Sequence, residues 1–218
     1  MTASGPAAGE RILDMADLGA RGDAVAQTED GPVYVPFALP GERVRATVAG
    51  NRGTLVAVEA PSPDRIEPVC RHFTRCGGCA VQHLAMPAYK TWKRGLVAAA
   101  LAHRGIAMKI DQIVDAHGDG RRRATLHVAF AGGEPQAGFM AARSHELADL
   151  DRCPVLVPAL AAAPDLVRAL ALPFAASGKP FDIHLTATDS GVDADIRGAG
   201  RGTREPGLDA RLALRAKA

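Results

Sequence analysis

Three of the four cysteines, Cys70, Cys76 and Cys79, fall within ten residues as C-x5-C-G-G-C; the fourth, Cys153, stands far downstream, just before Pro154. Thiolates are soft anionic ligands, and four of them can complete the coordination of zinc or of an iron–sulfur cluster. A zinc ribbon uses two C-x2-C knuckles, and here only Cys76 and Cys79 form one, which argues against that form while leaving both metals open. Gly77 and Gly78 let the backbone turn tightly around a bulky anionic group with N–H groups free to face sulfur. One loop would supply three ligands, and a segment reached much later in the chain would close the site.

The composition bounds the setting of those thiols. The chain has 218 residues, 47% hydrophobic and 23% charged, with a formal net charge of +2. This is enough for one large or two small domains. With so small a net charge, binding to nucleic acid must come from local clusters of Arg. The first twenty residues lack the basic start and apolar run of a signal peptide, so a cytoplasmic, reducing location is expected, where thiolates more often hold metal than pair. The apolar stretch from Val155 to Ala176 is interrupted by Pro158, Pro164, Asp165, Arg168 and Pro173 and is not expected to span a bilayer.

The elements that would position the cysteines follow from periodicity. Residues 10–63 are strand and turn: Val25, Val33 and Val35 sit in short runs, and Leu39-Pro40-Gly41-Glu42 signals a turn. Val44, Ala46 and Val48 then alternate with Arg43, Arg45 and Thr47, and Leu55, Val56 and Val58 supply a further strand. Short strands without a helix predict a small closed barrel of the OB type. From Met86 to His103, Tyr89, Trp92, Leu96, Ala99 and Ala100 recur at helical spacing as a face to be buried, with Pro87 near the start and Gly105 past the end. Beyond it, strands are predicted at Ile110–Val114, Arg122–Phe130, Gln136–Ala141 and Leu147–Leu150. A helix broken near Pro164 is predicted over Pro158–Leu172, and a hairpin over Phe181–Thr188 and Val192–Arg197.

Several of these segments carry a family resemblance. Val33-Tyr34-Val35-Pro36, Leu39 to Val44, Pro61 to Arg65, Cys70 to Leu84, Arg121 to Ala124, Gly138-Phe139, Arg143 to Leu147 and Asp151-Arg152-Cys153-Pro154 resemble the iron–sulfur class of S-adenosylmethionine-dependent RNA (uracil-5-)methyltransferases. Members modify 23S ribosomal or transfer RNA and begin with a TRAM domain, an OB-like RNA-binding barrel. The resemblance implies an α+β chain with an N-terminal OB-like (TRAM) β-barrel, followed by a mixed α+β central domain carrying a four-cysteine site. It implies a disordered tail over 1–9, the barrel over 10–63, the central iron–sulfur domain over 64–206, and over 207–218 the start of a linker to a missing methyltransferase domain. It also implies that Cys70, Cys76, Cys79 and Cys153 ligate a 4Fe-4S cluster, with S-adenosylmethionine a cofactor of full-length members only. Two positions depart from the family: Gly120 stands where an aromatic residue is usual, and Met140-Ala141 where Tyr and Arg are.

Methylating uracil at carbon 5 requires a further thiolate that adds to carbon 6 and a base that removes the carbon 5 proton. All four cysteines are committed to the cluster, so no catalytic residue is assigned in this chain. Gly198-Ala199-Gly200-Arg201-Gly202 has too few residues after it for a dinucleotide-type βαβ unit. The expectation is therefore the RNA-recognition and iron–sulfur portion of the enzyme, inactive alone, with RNA as partner and a separately encoded catalytic domain as a further one. Arg43, Arg45, Arg52, Arg121, Arg122, Arg123 and Arg143 are the candidate phosphate contacts. Phe73 and His72, beside the cluster loop, either stack on a base or pack around the site. The competing readings are a stand-alone RNA-binding module with structural zinc or iron–sulfur, and a small iron–sulfur electron carrier.

Overall fold

The computed structural model describes residues 9–115 and 120–199, which fall into two compact units. The first comprises residues 9–68 and 79–114; the second comprises 69–78, 115 and 120–199. Each contains one antiparallel-dominated sheet, and each has helix, so the α+β class holds. Of the tail expected over 1–9, residues 1–8 lie outside the described residues, as do the linker expected over 207–218 and the glycine run from Gly200 onward, while Gly9 already begins a strand.

In the first unit, strands β1 (Gly9–Asp14), β2 (Asp17–Leu18), β3 (Asp23–Thr28), β4 (Gly31–Pro36), β5 (Arg43–Ala49) and β6 (Arg52–Ala60) form one sheet, ordered β1-β5-β6-β4-β3-β2. The alternation in β5 is realised: Val44, Ala46 and Val48 are buried with Leu13, Ala24, Val33 and Val35, and Arg43 is exposed. The Leu39–Glu42 turn closes with the Glu42 N–H donating to the Leu39 carbonyl at 3.2 Å. Gly41 sits in it at φ +80°, a conformation that costs glycine little.

The predicted closed barrel is not formed. The sheet has two edges, β1 and β2, and no ladder joins them. Instead the chain passes from one edge to the other through Met15 and Ala16, whose N–H groups donate to Glu42 and Val25 at 2.8 Å each. A two-residue edge strand bonded only to β3 cannot carry the closing ladder.

Helix α1 (Met86–Ala102) belongs to the first unit, whereas a boundary at residue 64 would have placed it with the central domain. Its predicted buried stripe is only partly realised, because no residue of α1 is fully buried. Tyr89 and Trp92 pack on Leu18, Leu39 and Leu84, and the Trp92 indole donates to the Leu18 carbonyl at 3.2 Å. Ala99 and Ala100 are exposed: the packing is made by the first two turns, and the rest of the helix runs past it. Gly105, at φ +72°, follows the helix end as expected. The strand expected at Ile110–Val114 is not formed; the segment finds no ladder among the described residues, and Val114 is exposed.

In the second unit, β7 (Arg123–Ala131), β8 (Glu134–Met140), β9 (Leu147–Asp149), β10 (Phe181–Thr188) and β11 (Gly191–Arg197) pair antiparallel in the order β11-β10-β7-β8-β9. Leu126, Val128, Ile183 and Leu185 face a core completed by helix α2 (Ala163–Ala171), through Val167 and Leu170. Pro164 starts α2 instead of kinking a longer helix, because its missing N–H has no intrahelical acceptor to lose in the first turn. The stretch Pro158–Ser177 is long and apolar enough to cross a membrane by composition, yet it divides into a 3-10 turn, α2 and a second 3-10 segment. Burying Ala163, Val167, Leu170 and Ala171 against the sheet accounts for that apolarity.

Candidate functional site

The cysteine loop of the second unit, residues 70–78, is a run of tight turns. Phe73 N–H donates to the Cys70 carbonyl at 3.0 Å, and Cys76 N–H to the His72 carbonyl at 2.8 Å. The loop is strapped to the end of β8. Cys76 bridges Ala141, Gly77 N–H donates to the Met140 carbonyl at 2.9 Å, and Ala142 N–H to the Arg75 carbonyl at 3.2 Å. A Cβ at Gly77 would lie 2.8 Å from the Met140 oxygen, so only glycine lets the strap approach this closely. Cys76 is buried among Phe139, Ala148 and Leu150.

None of the four cysteines forms a disulfide. The Gly78 N–H points at Cys76 Sγ, 3.4 Å away, as the glycine pair predicted. Cys70, Cys76 and Cys153 belong to the second unit, and Cys79 to the first. Among the described residues no three His, Cys, Asp or Glu side chains stand together closely enough to hold one metal ion. The four thiols are of the type and number a thiolate-held group takes, but the described residues do not converge them on one centre.

Beside the loop lies a feature that sequence reasoning missed. Asp151, two residues before Cys153, receives Arg71 as a fork, with Nε 3.0 Å from Oδ1 and a terminal nitrogen 2.5 Å from Oδ2. The His72 ring, Nε2, meets the same Oδ1. The His72 hydrogen bond first, then Arg71, holds the Asp151 carboxyl far below the usual carboxylate range. His72 is therefore engaged with a carboxylate rather than presented as a stacking platform. Asp149, on the same segment, accepts from the Ala137 N–H at 2.9 Å and from Arg168 at 2.7 Å. Local periodicity carries no signal for partners some eighty positions apart.

The candidate RNA contacts divide between the units. In the first, Arg43 is exposed; Arg45 pairs with Glu59 at 3.0 Å and Glu10 at 3.7 Å. Arg52 pairs with Asp23 at 3.0 Å while its guanidinium lies 5.7 Å from the Tyr34 ring centroid. In the second, Arg122 reaches Asp189 at 3.2 Å and the Ala187 carbonyl at 3.3 Å. Arg121 joins the Val155–Val157 backbone, Arg123 is exposed on β7, and Arg143 occupies a turn at φ +58°. Charged side chains on an exposed face thus include three already neutralised by neighbours, Arg45, Arg52 and Arg122.

A polar knot of the first unit also escaped the sequence reading. Glu42, with no exposed side-chain surface, accepts from Leu39 N–H at 2.9 Å and Ser62 N–H at 3.3 Å. It also accepts from Arg65 at 2.5 and 2.8 Å, and Arg65 in turn donates to the Phe37 carbonyl at 2.8 Å. His83 is fully buried nearby; burial, then the Arg65 charge, lowers its pKa to about 4.

Comparison with known proteins finds relatives along most of the chain. No family model matches the chain. An uncharacterized RNA methyltransferase of Caulobacter vibrioides is 42% identical over 200 residues, covering 89% of this chain and 48% of the relative. One of Agrobacterium fabrum is 40% identical over 194 residues, covering 86% and 47%. The 23S rRNA (uracil(1939)-C(5))-methyltransferase RlmD of Halomonas elongata is 37% identical over 198 residues, covering 87% and 41%. The chain is a homologue of RNA methyltransferases. It spans about half the length of the curated relatives it matches.

Against RNA methyltransferases of the resembled class, both departures have structural explanations. Gly120 sits at φ +115°, where a Cβ would be 2.7 Å from the Leu156 carbonyl carbon, so no aromatic side chain can stand there. Met140 and Ala141 meet the cysteine loop through their backbones, which leaves the strap indifferent to their side chains.

Proposed function

We propose that this chain is the RNA-recognition and iron–sulfur portion of an S-adenosylmethionine-dependent RNA uracil-C5 methyltransferase acting on ribosomal or transfer RNA. The observation that carries this is the homology to RNA methyltransferases, an RlmD among them, over more than four-fifths of the chain. In this reading the sheet of the first unit is a TRAM-type RNA-binding module. Cys70, Cys76, Cys79 and Cys153 hold a 4Fe-4S cluster, whose contribution when bound is to cross-link the loop and the Cys153 segment. The reacting thiolate, the base and the methyl-donor site belong to the portion of the relatives that this chain does not span.

The residues of this chain bind and orient RNA. Arg43 and Arg123 have exposed guanidinium groups with no carboxylate partner among the described residues, whereas Arg45, Arg52 and Arg122 must exchange a carboxylate for a phosphate. That exchange lowers the gain per contact, so Arg43 and Arg123 are expected to dominate. With four phosphates of a single strand engaged, log affinity against log salt should have a slope of about −3. The test is binding of a uridine-containing RNA hairpin across a salt series, with Arg43→Glu and Arg123→Glu as comparisons. A flat salt response would overturn RNA recognition. Methyl transfer by the isolated chain supplied with S-adenosylmethionine would overturn the placement of catalysis elsewhere.

A further inference from the structure

We propose that Asp151 is a positioning residue that brings the two chain segments bearing Cys70 and Cys153 into register for the cluster; this rests on the iron–sulfur reading above. The placement is geometric. Arg71 and His72, the two residues after Cys70, both bind the Asp151 carboxylate, and Cys153 follows Asp151 by two residues. Each residue of chain spans at most about 3.6 Å, so both thiol-bearing backbones are confined to the neighbourhood of one carboxylate.

The carboxylate itself stands on a fixed base. Leu150 is buried, and its N–H donates to the Ala137 carbonyl at 3.0 Å. Arg168 of α2 grips the Asp149 carboxylate at 2.7 Å and the Leu150 carbonyl at 2.5 Å. Residues 149–150 are therefore anchored to β8 and α2, and Asp151 extends from them to Arg71 and His72 of the loop. The β8 strap holds the other end of the loop, at Cys76 and Gly77. Two independent fastenings thus fix the loop on either side of the Cys70–Cys76 interval. Closing a long chain separation before ligation raises the effective concentration of the last ligand, whereas an exposed ion pair adds little to global stability. The effect should appear in cluster retention and not in melting.

The test uses the full chain reconstituted with ferrous iron and sulfide, following visible cluster absorbance during transfer of iron to a chelator. Asp151→Asn and Arg71→Gln should lose the cluster about tenfold faster than the parent, the scale of outer-shell effects on metal sites. The iron-free melting temperatures should not change. The charge-reversed pair, Arg71→Asp with Asp151→Arg, should restore part of the retention, because the His72 bond to Asp151 is not remade. Arg71 is largely exposed, so Arg71→Gln guards against a folding failure of the Asp151 variant. A parent that loads while both variants release at the parental rate would overturn the positioning role and leave the iron–sulfur reading standing. A parent that takes up no iron and sulfide would overturn that reading and with it the role of Asp151 in loading. Cross-linking of Cys70 to Cys153 by dibromobimane in a Cys76→Ala/Cys79→Ala background then decides the geometry separately. Lower yield with Asp151→Asn supports the clamp, and equal yield removes it.

Discussion

Removing the Glu42 carboxylate should unfold the first unit at markedly lower temperature. Its two oxygens accept from Leu39 N–H, Ser62 N–H and two nitrogens of Arg65, and its side chain has no exposed surface. Glu42→Ala would leave a guanidinium that is only a quarter exposed, and two backbone donors, without an acceptor. Breaking a buried pair from one side costs about 3–5 kcal/mol, and the partial exposure of Arg65 points to about 3. For a unit of this size that corresponds to a fall of roughly 12 °C or more in Tm. Glu42→Gln keeps one acceptor oxygen and should lose less. Calorimetry with hydrogen exchange at the Leu39 amide reads both changes. Burial opposes ionisation, but the Arg65 and backbone hydrogen bonds outweigh it and hold the Glu42 pKa below its ordinary 4.5. The folded chain thus stays ionised where the unfolded chain is already protonated. The carboxylate's stabilising contribution is complete above pH 4.5 and is lost as pH falls below it, a loss absent from Glu42→Gln. A Glu42→Ala protein melting within about 2 °C of the parent would refute the reasoning, since so small a shift means under about 0.5 kcal/mol.

Three further outcomes are expected. His83 has an ordinary pKa of 6.5 and a folded value of about 4, so the unfolded chain binds its proton first. Stability should fall between pH 6.5 and 4 by something on the order of 3 kcal/mol, and urea titrations of His83→Gln should show a shallower decline across that window. Gly120→Tyr should not add a stacking surface; it should destabilise the second unit by roughly 2–5 kcal/mol through positive φ and collision with the Leu156 backbone, measurable by calorimetry. Cys76→Ser should cost about 1–3 kcal/mol without iron, from placing a hydroxyl among Phe139, Ala148 and Leu150, and far more after reconstitution; equal losses in the two states would remove the structural role of a metal centre.

Local pattern carried most of the secondary structure. The alternation in residues 43–48 and 123–130, the turn at Leu39–Glu42 and the hairpin about Asp189 each follow from contacts within a few residues, and each is present in the fold. The same reasoning overreached at residues 110–114, where a short apolar run without a neighbouring strand yields no ladder, and at Ala99–Ala100, where helical spacing alone cannot supply a surface to pack against. It overreached again in closing the first sheet, because closure depends on which edges meet and not on how many strands there are.

At the candidate site, residue types and spacing set out the chemistry on offer: four thiols, a glycine pair between two of them, and clustered arginines. Their types and spacing are local facts, as is the turn that delivers an N–H to Cys76 Sγ. That Asp151 meets Arg71 and His72, that Gly120 excludes a side chain, and that Arg45, Arg52 and Arg122 already have carboxylate partners all arise in the folded chain. Those outcomes depend on strand order and register, which bring together residues separated by dozens of positions. Charge and approach distance between such residues have no periodic signature along the chain.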